Sequence, residues 1–337
     1  MEKLYENCDK IIIVEELEPF HEDFAKKLAF ELDMKVEIVG KKFFPRNAEL
    51  NLNKTINGLT KALGIANPFV DLPIDTKSFH HASPRPPVLC PGCSHRNTFY
   101  ALKLMEKRLG VNFVYSSDIG CYTLGYYKPS EAIDTCICMG ASIGMANGIA
   151  KLHNGPVLAI IGDSTFFHTG VPGLINAVYN QNNVIVIILD NSATAMTGFQ
   201  PHPGTGDKIT GEAGTKVPLE QIVKGAGITE EHLWVVDANE LKQTTKAIEE
   251  AVKTPGPNVI ISRHICTLLE SRIKRGMKIT PVEIDYDKCN NCMICIKNFG
   301  CPAITIKEGK VSIIERQCKG CNVCIEICPF DAISPKE

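Results

Sequence analysis

Two runs of cysteine near the C-terminus constrain this chain more than anything else in it. Cys289, Cys292 and Cys295 stand two residues apart and are followed by Cys301-Pro302; Cys318, Cys321 and Cys324 repeat the spacing and are followed by Cys328-Pro329. Thiolate triads closed by Cys-Pro hold four-iron clusters, and in such runs the fourth cysteine ligates the other cluster. The pattern therefore groups Cys289, Cys292, Cys295 with Cys328 on one 4Fe-4S cluster, and Cys318, Cys321, Cys324 with Cys301 on a second. Two clusters that exchange ligands lie close enough for electrons to hop between them. Zinc is the alternative for soft thiolates, but zinc sites use cysteines in pairs rather than in proline-terminated triads. The second run has the usual spacer of three residues, whereas the first has five, Ile296 to Gly300, so one crossover loop is longer.

Free thiolates in this number need a reducing compartment with little oxygen, and the chain carries 15 cysteines. No apolar run approaches the roughly 18 residues of a membrane span, and residues 1–10 have no hydrophobic signal core, so a cytoplasmic location is expected. The formal net charge of −2 leaves no long basic or acidic field, which argues against nucleic acid or a membrane surface as the main partner. Cys8, Cys136 and Cys138 fall outside the patterned sets and are expected to pack as small hydrophobes.

The 337 residues allow two or three domains. A β-branched run at 10–15, helical periodicity over 20–32 and strand-like alternation at 35–39 predict one βαβ unit within 1–70. Two strands cannot bury a parallel sheet's faces, so this opening reads as the back part of a domain whose front part is elsewhere. Residues 71–87, with four prolines and the adjacent His80 and His81, read as a linker whose histidines are solvated. From residue 88 to 272, strands at 112–116, 157–161, 184–189 and 258–262 alternate with helices near 97–108, 140–151, 171–180 and 240–253. That alternation predicts a doubly wound parallel α/β sheet. A basic stretch, 272–278, leads to a small α+β two-cluster domain over 281–337.

In such sheets ligands bind beyond the carboxyl ends of the strands. Gly162-Asp163-Ser164 follows one apolar strand and Asp190-Asn191 the next, one crossover apart. A carboxylate and an amide oxygen suit an octahedral Mg2+ that also takes phosphate oxygens. Gly-Asp-Ser alone reads as a plain turn; the paired Asp-Asn is what favours a site. Met139 to Gly144 opens a helix with small residues, so Gly140, Ala141 and Ser142 are expected to offer free amides to a diphosphate. Cys90, Cys93, Cys121 and Cys266 are scattered in sequence, yet loops after successive strands gather on one edge and could bring them together around a third, proximal 4Fe-4S cluster. For Cys90 and Cys93 alone, a redox dithiol or a zinc half-site is the alternative.

These features resemble the thiamine diphosphate motif, Gly-Asp-Gly followed by Asn-Asn, with Ser164 in place of the third glycine and Asp190 in place of the first asparagine. The stretches 89–96, 117–125, 162–168 and 190–198, with the cysteine runs, are similar to the thiamine diphosphate and ferredoxin portion of the 2-oxoacid:ferredoxin oxidoreductases, nearest the indolepyruvate branch's alpha subunit. The resemblance implies Mg2+ ligands at Asp163, Asn191 and the Ala193 carbonyl, cofactor contacts at Gly162 and Ser164, and a proximal cluster on Cys90, Cys93, Cys121 and Cys266. It implies oxidative decarboxylation of a 2-oxoacid to an acyl-coenzyme A and carbon dioxide with reduction of ferredoxin. It further implies a partner chain carrying the pyrimidine-binding domain, absent here along with its activating glutamate, and a beta (gamma-type) subunit. His95, His168 and His202 are candidates for proton transfer, each with a structural role as its alternative. Phe166 and Phe167 could wall the cofactor or belong to the core. The rival readings are a non-oxidative 2-oxoacid decarboxylase, which has no use for clusters, and an electron-transfer subunit with an inactive thiamine fold.

Overall fold

The computed structural model describes residues 2–68, 87–276 and 279–336. The linker expected at 71–87 therefore lies outside the described residues apart from Pro87, and so do His80 and His81. The chain divides into two compact units, Met1–Arg85 and Pro86–Glu337.

In the first unit, a short helix α1 (Glu2–Tyr5) precedes β1 (Lys10–Ile12), α2 (Phe20–Glu31), β2 (Glu37–Val39) and α3 (Leu52–Leu63). β1 and β2 pair in parallel, Lys10 opposite Glu37, as the βαβ pattern predicts. The buried Glu22 carboxylate ties α2 to the segment after β2, accepting the Lys41 amide at 2.6 Å. On α2, however, Phe20, Phe24 and Phe30 stand 76, 60 and 87% exposed.

The second unit is built on six parallel strands: β3 (Val114–Ser117), β4 (Thr135–Cys136), β5 (Val157–Gly162), β6 (Val184–Asp190), β7 (Leu233–Asp237) and β8 (Asn258–Arg263), in the order β4-β3-β5-β6-β8-β7. Every residue of β5 and β6 is buried, which is why these strands read as unbroken apolar runs. Their alternate side chains serve two cores. Leu158, Ile160, Ile185 and Ile187 face the helix α4 (Ser94–Leu109) and the later helix over Leu241–Lys253, whereas Ala159, Ile161, Val186 and Ile188 face α5 (Ala141–Ile149) and α6 (Val171–Tyr179). Helix α7 (Leu219–Gly225) lies in the second layer, α8 (Leu241–Lys253) in the first, and α9 (Thr267–Ile273) follows β8. From β3 the chain moves outward to β4, then returns past β3 to β5 and on to β6, so the connections diverge between β3 and β5. That switch point is where an open parallel sheet leaves a crevice. The two short edge strands β4 and β7 were not foreseen in the sequence. β4 has only two residues and β7 carries mixed burial, so neither has an apolar run to announce it.

The C-terminal residues form β9 (Val282–Ile284), β10 (Ile304–Lys307), β11 (Lys310–Ile313), a short helix α10 (Val323–Ile327) and β12 (Ile333–Pro335), with antiparallel pairs β9–β12 and β10–β11. This module shares the first core of the sheet: Phe99, Leu102 and Met105 of α4 belong to one buried apolar cluster with Val282, Phe299, Ile304, Val311 and Val323. The five-residue spacer contributes to this joint. It forms a π-helical turn, Cys295–Phe299, capped by Gly300 at φ +65°, and its two extra residues present Phe299 edge-on to Tyr100 with ring centroids 5.6 Å apart.

Candidate functional site

A cleft opens at the switch point, with about 510 Å³ of empty space between its walls and part of that space continuous with solvent. It is lined by Ile119–Tyr122 beyond β3, Gly162–Thr165 beyond β5 and Asn191 with Ala193–Thr197 beyond β6, with His95 and Met139 completing the walls. Asp163 and Asn191 therefore share one site. Asp163 is 2% exposed. Its Oδ1 accepts the Ser164 amide at 2.8 Å, and its Oδ2 accepts the Ser192 amide at 2.8 Å and lies 3.1 Å from His202 Nε2. Burial pushes the Asp163 pKa up, opposed by His202 and reinforced by Asp190. Asn191 Oδ1 accepts the Ala193 amide at 3.2 Å, and Ser192, at φ +58°, makes the turn that brings both amides inward. Hard oxygen donors, one of them a buried carboxylate, are the donor chemistry that Mg2+ matches.

The helix expected to cradle a diphosphate is present, but its amides are not free. Gly140 and Ser142 donate their N–H groups to Asp118 Oδ2 at 3.1 and 3.4 Å, and Ala141 donates to the Cys138 carbonyl. The expectation of open donors at these three residues is thus corrected: a buried carboxylate from the end of β3 has taken the positive end of α5. Asp118 also accepts the Ser142 hydroxyl at 2.7 Å and the Tyr122 hydroxyl, so it ties the helix start to a wall of the cleft. Burial raises its pKa, and these four donors oppose the rise. Asp118 falls within the 117–125 stretch that carries the resemblance, but its spacing gave it no role of its own. Gly140 is required at the helix start: it has φ +87°, and a Cβ there would meet Thr169 Oγ1 at 2.0 Å.

The three histidines separate. His95 is buried in the cleft wall with Nε2 3.2 Å from Asn191 Nδ2, and burial pushes its pKa down to about 4. His202 is buried against Asp163 and its ring tilts on Phe167 at 5.7 Å. His168 is exposed on the π-helical turn Phe166–Gly170 and does not line the cleft, which removes it from the candidates. Phe166 is fully buried in the core behind β5. Asp190 faces away from the cleft and pairs with Arg263 Nε at 2.5 Å; Arg263 also holds Glu220 at 2.7 Å.

The scattered cysteines lie within electrostatic reach of one another beside this cleft. Cys121 lines it, and the Cys266 amide donates to the Asn191 carbonyl at 2.8 Å. Burial raises the Cys90 thiol pKa, with Cys266 adding to it; burial raises Cys121 to about 11, with Cys266 and Cys90 adding; burial raises Cys93 to about 12, with Cys90 adding. In the C-terminal module, Cys289, Cys292, Cys295 and Cys328 line one void of about 370 Å³, and Cys301, Cys318, Cys321 and Cys324 line another of about 330 Å³. Each void takes its fourth cysteine from the other run. Among the described residues, no three His, Cys, Asp or Glu side chains close on a point suited to a single ion. Four thiols around a void suit the corners of a cluster instead. Cys136 and Cys138 are exposed and Cys8 is half-buried, so the expectation that these three pack as core hydrophobes fails for the two on and after edge strand β4. No helix among the described residues is long and apolar enough to cross a membrane.

Residues 118–262 match the C-terminal TPP binding domain of thiamine pyrophosphate enzymes, and residues 281–329 match a 4Fe-4S dicluster domain. The indolepyruvate oxidoreductase subunit IorA of Archaeoglobus fulgidus is 43% identical over 344 residues, covering 99% of this chain and 54% of that protein. The subunit of the same name from Thermococcus kodakarensis is 40% identical over 355 residues, again covering 99% and 54%. The chain thus spans about half the length of the curated relatives it matches. A solved 2-oxoglutarate:ferredoxin oxidoreductase from Magnetococcus marinus aligns with TM-score 0.48 at 19% identity, covering 56% of this chain and 67% of that one. Over the part that it spans, the chain belongs to the family of indolepyruvate oxidoreductase IorA subunits, joining a thiamine-diphosphate-binding α/β domain to a 4Fe-4S dicluster domain.

Proposed function

We propose that this chain is the cofactor-binding and electron-relay part of a thiamine-diphosphate-dependent 2-oxoacid:ferredoxin oxidoreductase that takes indolepyruvate or another aryl pyruvate, with coenzyme A as acyl acceptor. The observation that carries this is the bond from the Cys266 amide to the Asn191 carbonyl, with Cys121 lining the cleft: one cysteine stands in the wall of the cofactor site and the backbone of a second is tied to its Asn191. An enzyme that did not withdraw electrons would gain nothing from that arrangement. Thiamine diphosphate supplies the electron sink for breaking the carbon–carboxylate bond of a 2-oxoacid. The chain's part is to hold Mg2+ on Asp163, Asn191 and the Ala193 carbonyl, to place Gly162 and Ser164 against the diphosphate, and to keep His95 neutral in the wall. His202 positions the Asp163 carboxylate.

Cys90, Cys93, Cys121 and Cys266 form the proximal 4Fe-4S ligand set in this reading. The set of Cys318, Cys321, Cys324 and Cys301 follows it, since the void these four line is also walled by Gly92 of the proximal loop. The set of Cys289, Cys292, Cys295 and Cys328 lies outermost and faces an external ferredoxin. The domains are 1–70, 88–272 and 281–337, with a linker at 71–87. The exposed phenylalanines of α2 support a partner chain that covers them and brings the pyrimidine-binding domain, alongside a beta (gamma-type) subunit.

The native complex, purified anaerobically, tests this by its iron, thiamine and subunit content and by indolepyruvate- and coenzyme A-dependent ferredoxin reduction. Iron for three clusters in this chain with bound thiamine is expected. Iron without thiamine would reduce the chain to an electron-transfer subunit, and thiamine turnover without iron would make it a decarboxylase.

A further inference from the structure

Arg96 stands out among the charged side chains of the second unit because it is 4% exposed and its hydrogen bonds go to main-chain carbonyls rather than to a carboxylate. It lies on the first turn of α4, three residues after Cys93. Its guanidinium donates to the carbonyls of Leu89 and Cys90, the latter at 3.2 Å, on the proximal loop. The opposite nitrogen, Nη1, donates at 2.6 Å to the carbonyl of Gly300, the residue before Cys301. Its Nε is buried with no acceptor among the described residues, and its carbon sits 6.0 Å from the Phe299 ring centroid. Cys301, Cys93, Cys90 and Cys321 lie close enough to hold its charge once they are thiolates. Two of those cysteines belong to the proximal set and two to the next set, and the carbonyls it binds follow the same division, Leu89 and Cys90 on the proximal loop and Gly300 before Cys301.

A cation taken out of water with no carboxylate beside it is costly by several kcal/mol, and a fold keeps one only where other negative charge arrives. Four thiolates around a cluster bring that charge, and reduction adds one more unit of it. Resting on the reading proposed above, we infer that Arg96 is the shared counter-charge of the proximal and the adjacent cluster, stabilising the reduced state of both and fixing the distance between the loops that carry them. It touches no reacting atom and is a positioning residue for electron transfer. The five-residue spacer is part of the same device, since it delivers both Phe299 and the Gly300 carbonyl to Arg96. A lysine would keep the charge but lose the planar fork that reaches three carbonyls at once.

The test is a redox titration of the anaerobic complex, followed by electron paramagnetic resonance, on the parent protein, Arg96→Gln and Arg96→Lys, with iron counted in each. In Arg96→Gln, reduction of the two facing clusters is expected to become at least tenfold less favourable, about 59 mV lower for a one-electron couple, while the outer cluster keeps its potential as the internal control. Arg96→Lys should recover most of that shift but transfer electrons more slowly between the facing clusters. Full iron with all potentials unmoved, or with all three moved equally, overturns the inference and leaves the proposed function standing. A parent protein without iron overturns the proposed function itself. If both variants lose iron, pulsed resonance on the unmutated complex with 15N-arginine decides: nitrogen coupling to both facing clusters supports the role, and its absence from both refutes it.

Discussion

At the scale of single residues, Asp163 does the most for the site. Its carboxylate is buried, its pKa is raised by that burial, and one imidazole and two amides hold it in place. Asp163→Asn keeps the shape and removes the charge that a divalent cation needs, so bound thiamine per chain is expected to fall at least tenfold while iron per chain stays constant. Equal retention of thiamine would refute Asp163 as a Mg2+ ligand. This residue was legible before folding because a hard-oxygen pair recurred at two strand ends, one crossover apart. Asp118 was not. Its chemistry appears only once β3 and α5 meet, since the amides it accepts are 22 and 24 positions away in the chain. Sequence spacing likewise gave no means of separating His168, turned outward, from His95 and His202, turned in.

Elements carry the next level of constraint, and here the start of α5 is the sharpest case. Gly140→Ala forces a Cβ onto Thr169 in a backbone conformation that costs a non-glycine residue of order 1–3 kcal/mol. The helix start must shift, and the bonds from Gly140 and Ser142 to Asp118 shift with it. Thiamine affinity of the complex should therefore drop while the cluster spectra are retained; unchanged affinity would show that this end of α5 is not part of the cofactor site. The strands behaved differently. β5, β6 and β8 were readable because burial on both faces makes them apolar throughout, whereas β4 and β7 sit at the edges and are written in mixed residues. The long spacer was visible in the sequence as a departure from a cysteine pattern, but its purpose was not. Phe299→Ala tests it: deleting a ring that is 3% exposed and packed on Tyr100 is expected to cost about 3–5 kcal/mol, read as faster hydrogen exchange at the joint between α4 and the C-terminal module.

For the molecule as a whole, the decisive fact is that the dicluster module has no core of its own. Val282, Ile304, Val311 and Ile333 lie in the same apolar cluster as Phe99, Leu102, Leu158 and Ile187, and Cys289, Cys295, Cys301, Cys318, Cys321 and Cys328 pack against it. A module on a tether would unfold separately when its metal was lost. Here the loss of iron removes the bonds that fix one side of a shared core, so the free energy is withdrawn from the sheet as well. Oxidative removal of iron from the complex is therefore expected to lower the unfolding temperature of residues 86–337 as one unit, with the signal of Trp234 beside β8 and the far-ultraviolet dichroism changing together. Two separated transitions, one of them at the temperature of the iron-loaded protein, would show that the sheet stands without the module. The same continuity bears on function. In the proposed relay, electrons passing from the Cys121 side of the cleft to Cys321 would cross no hinge, only a packed interface pinned by Phe299 and Arg96, so the fold rather than a moving domain would set the transfer distance. Raising solvent viscosity should then leave the rate of internal reduction from the proximal to the adjacent cluster unchanged, and a rate that fell in proportion to viscosity would require a motion this interface does not provide.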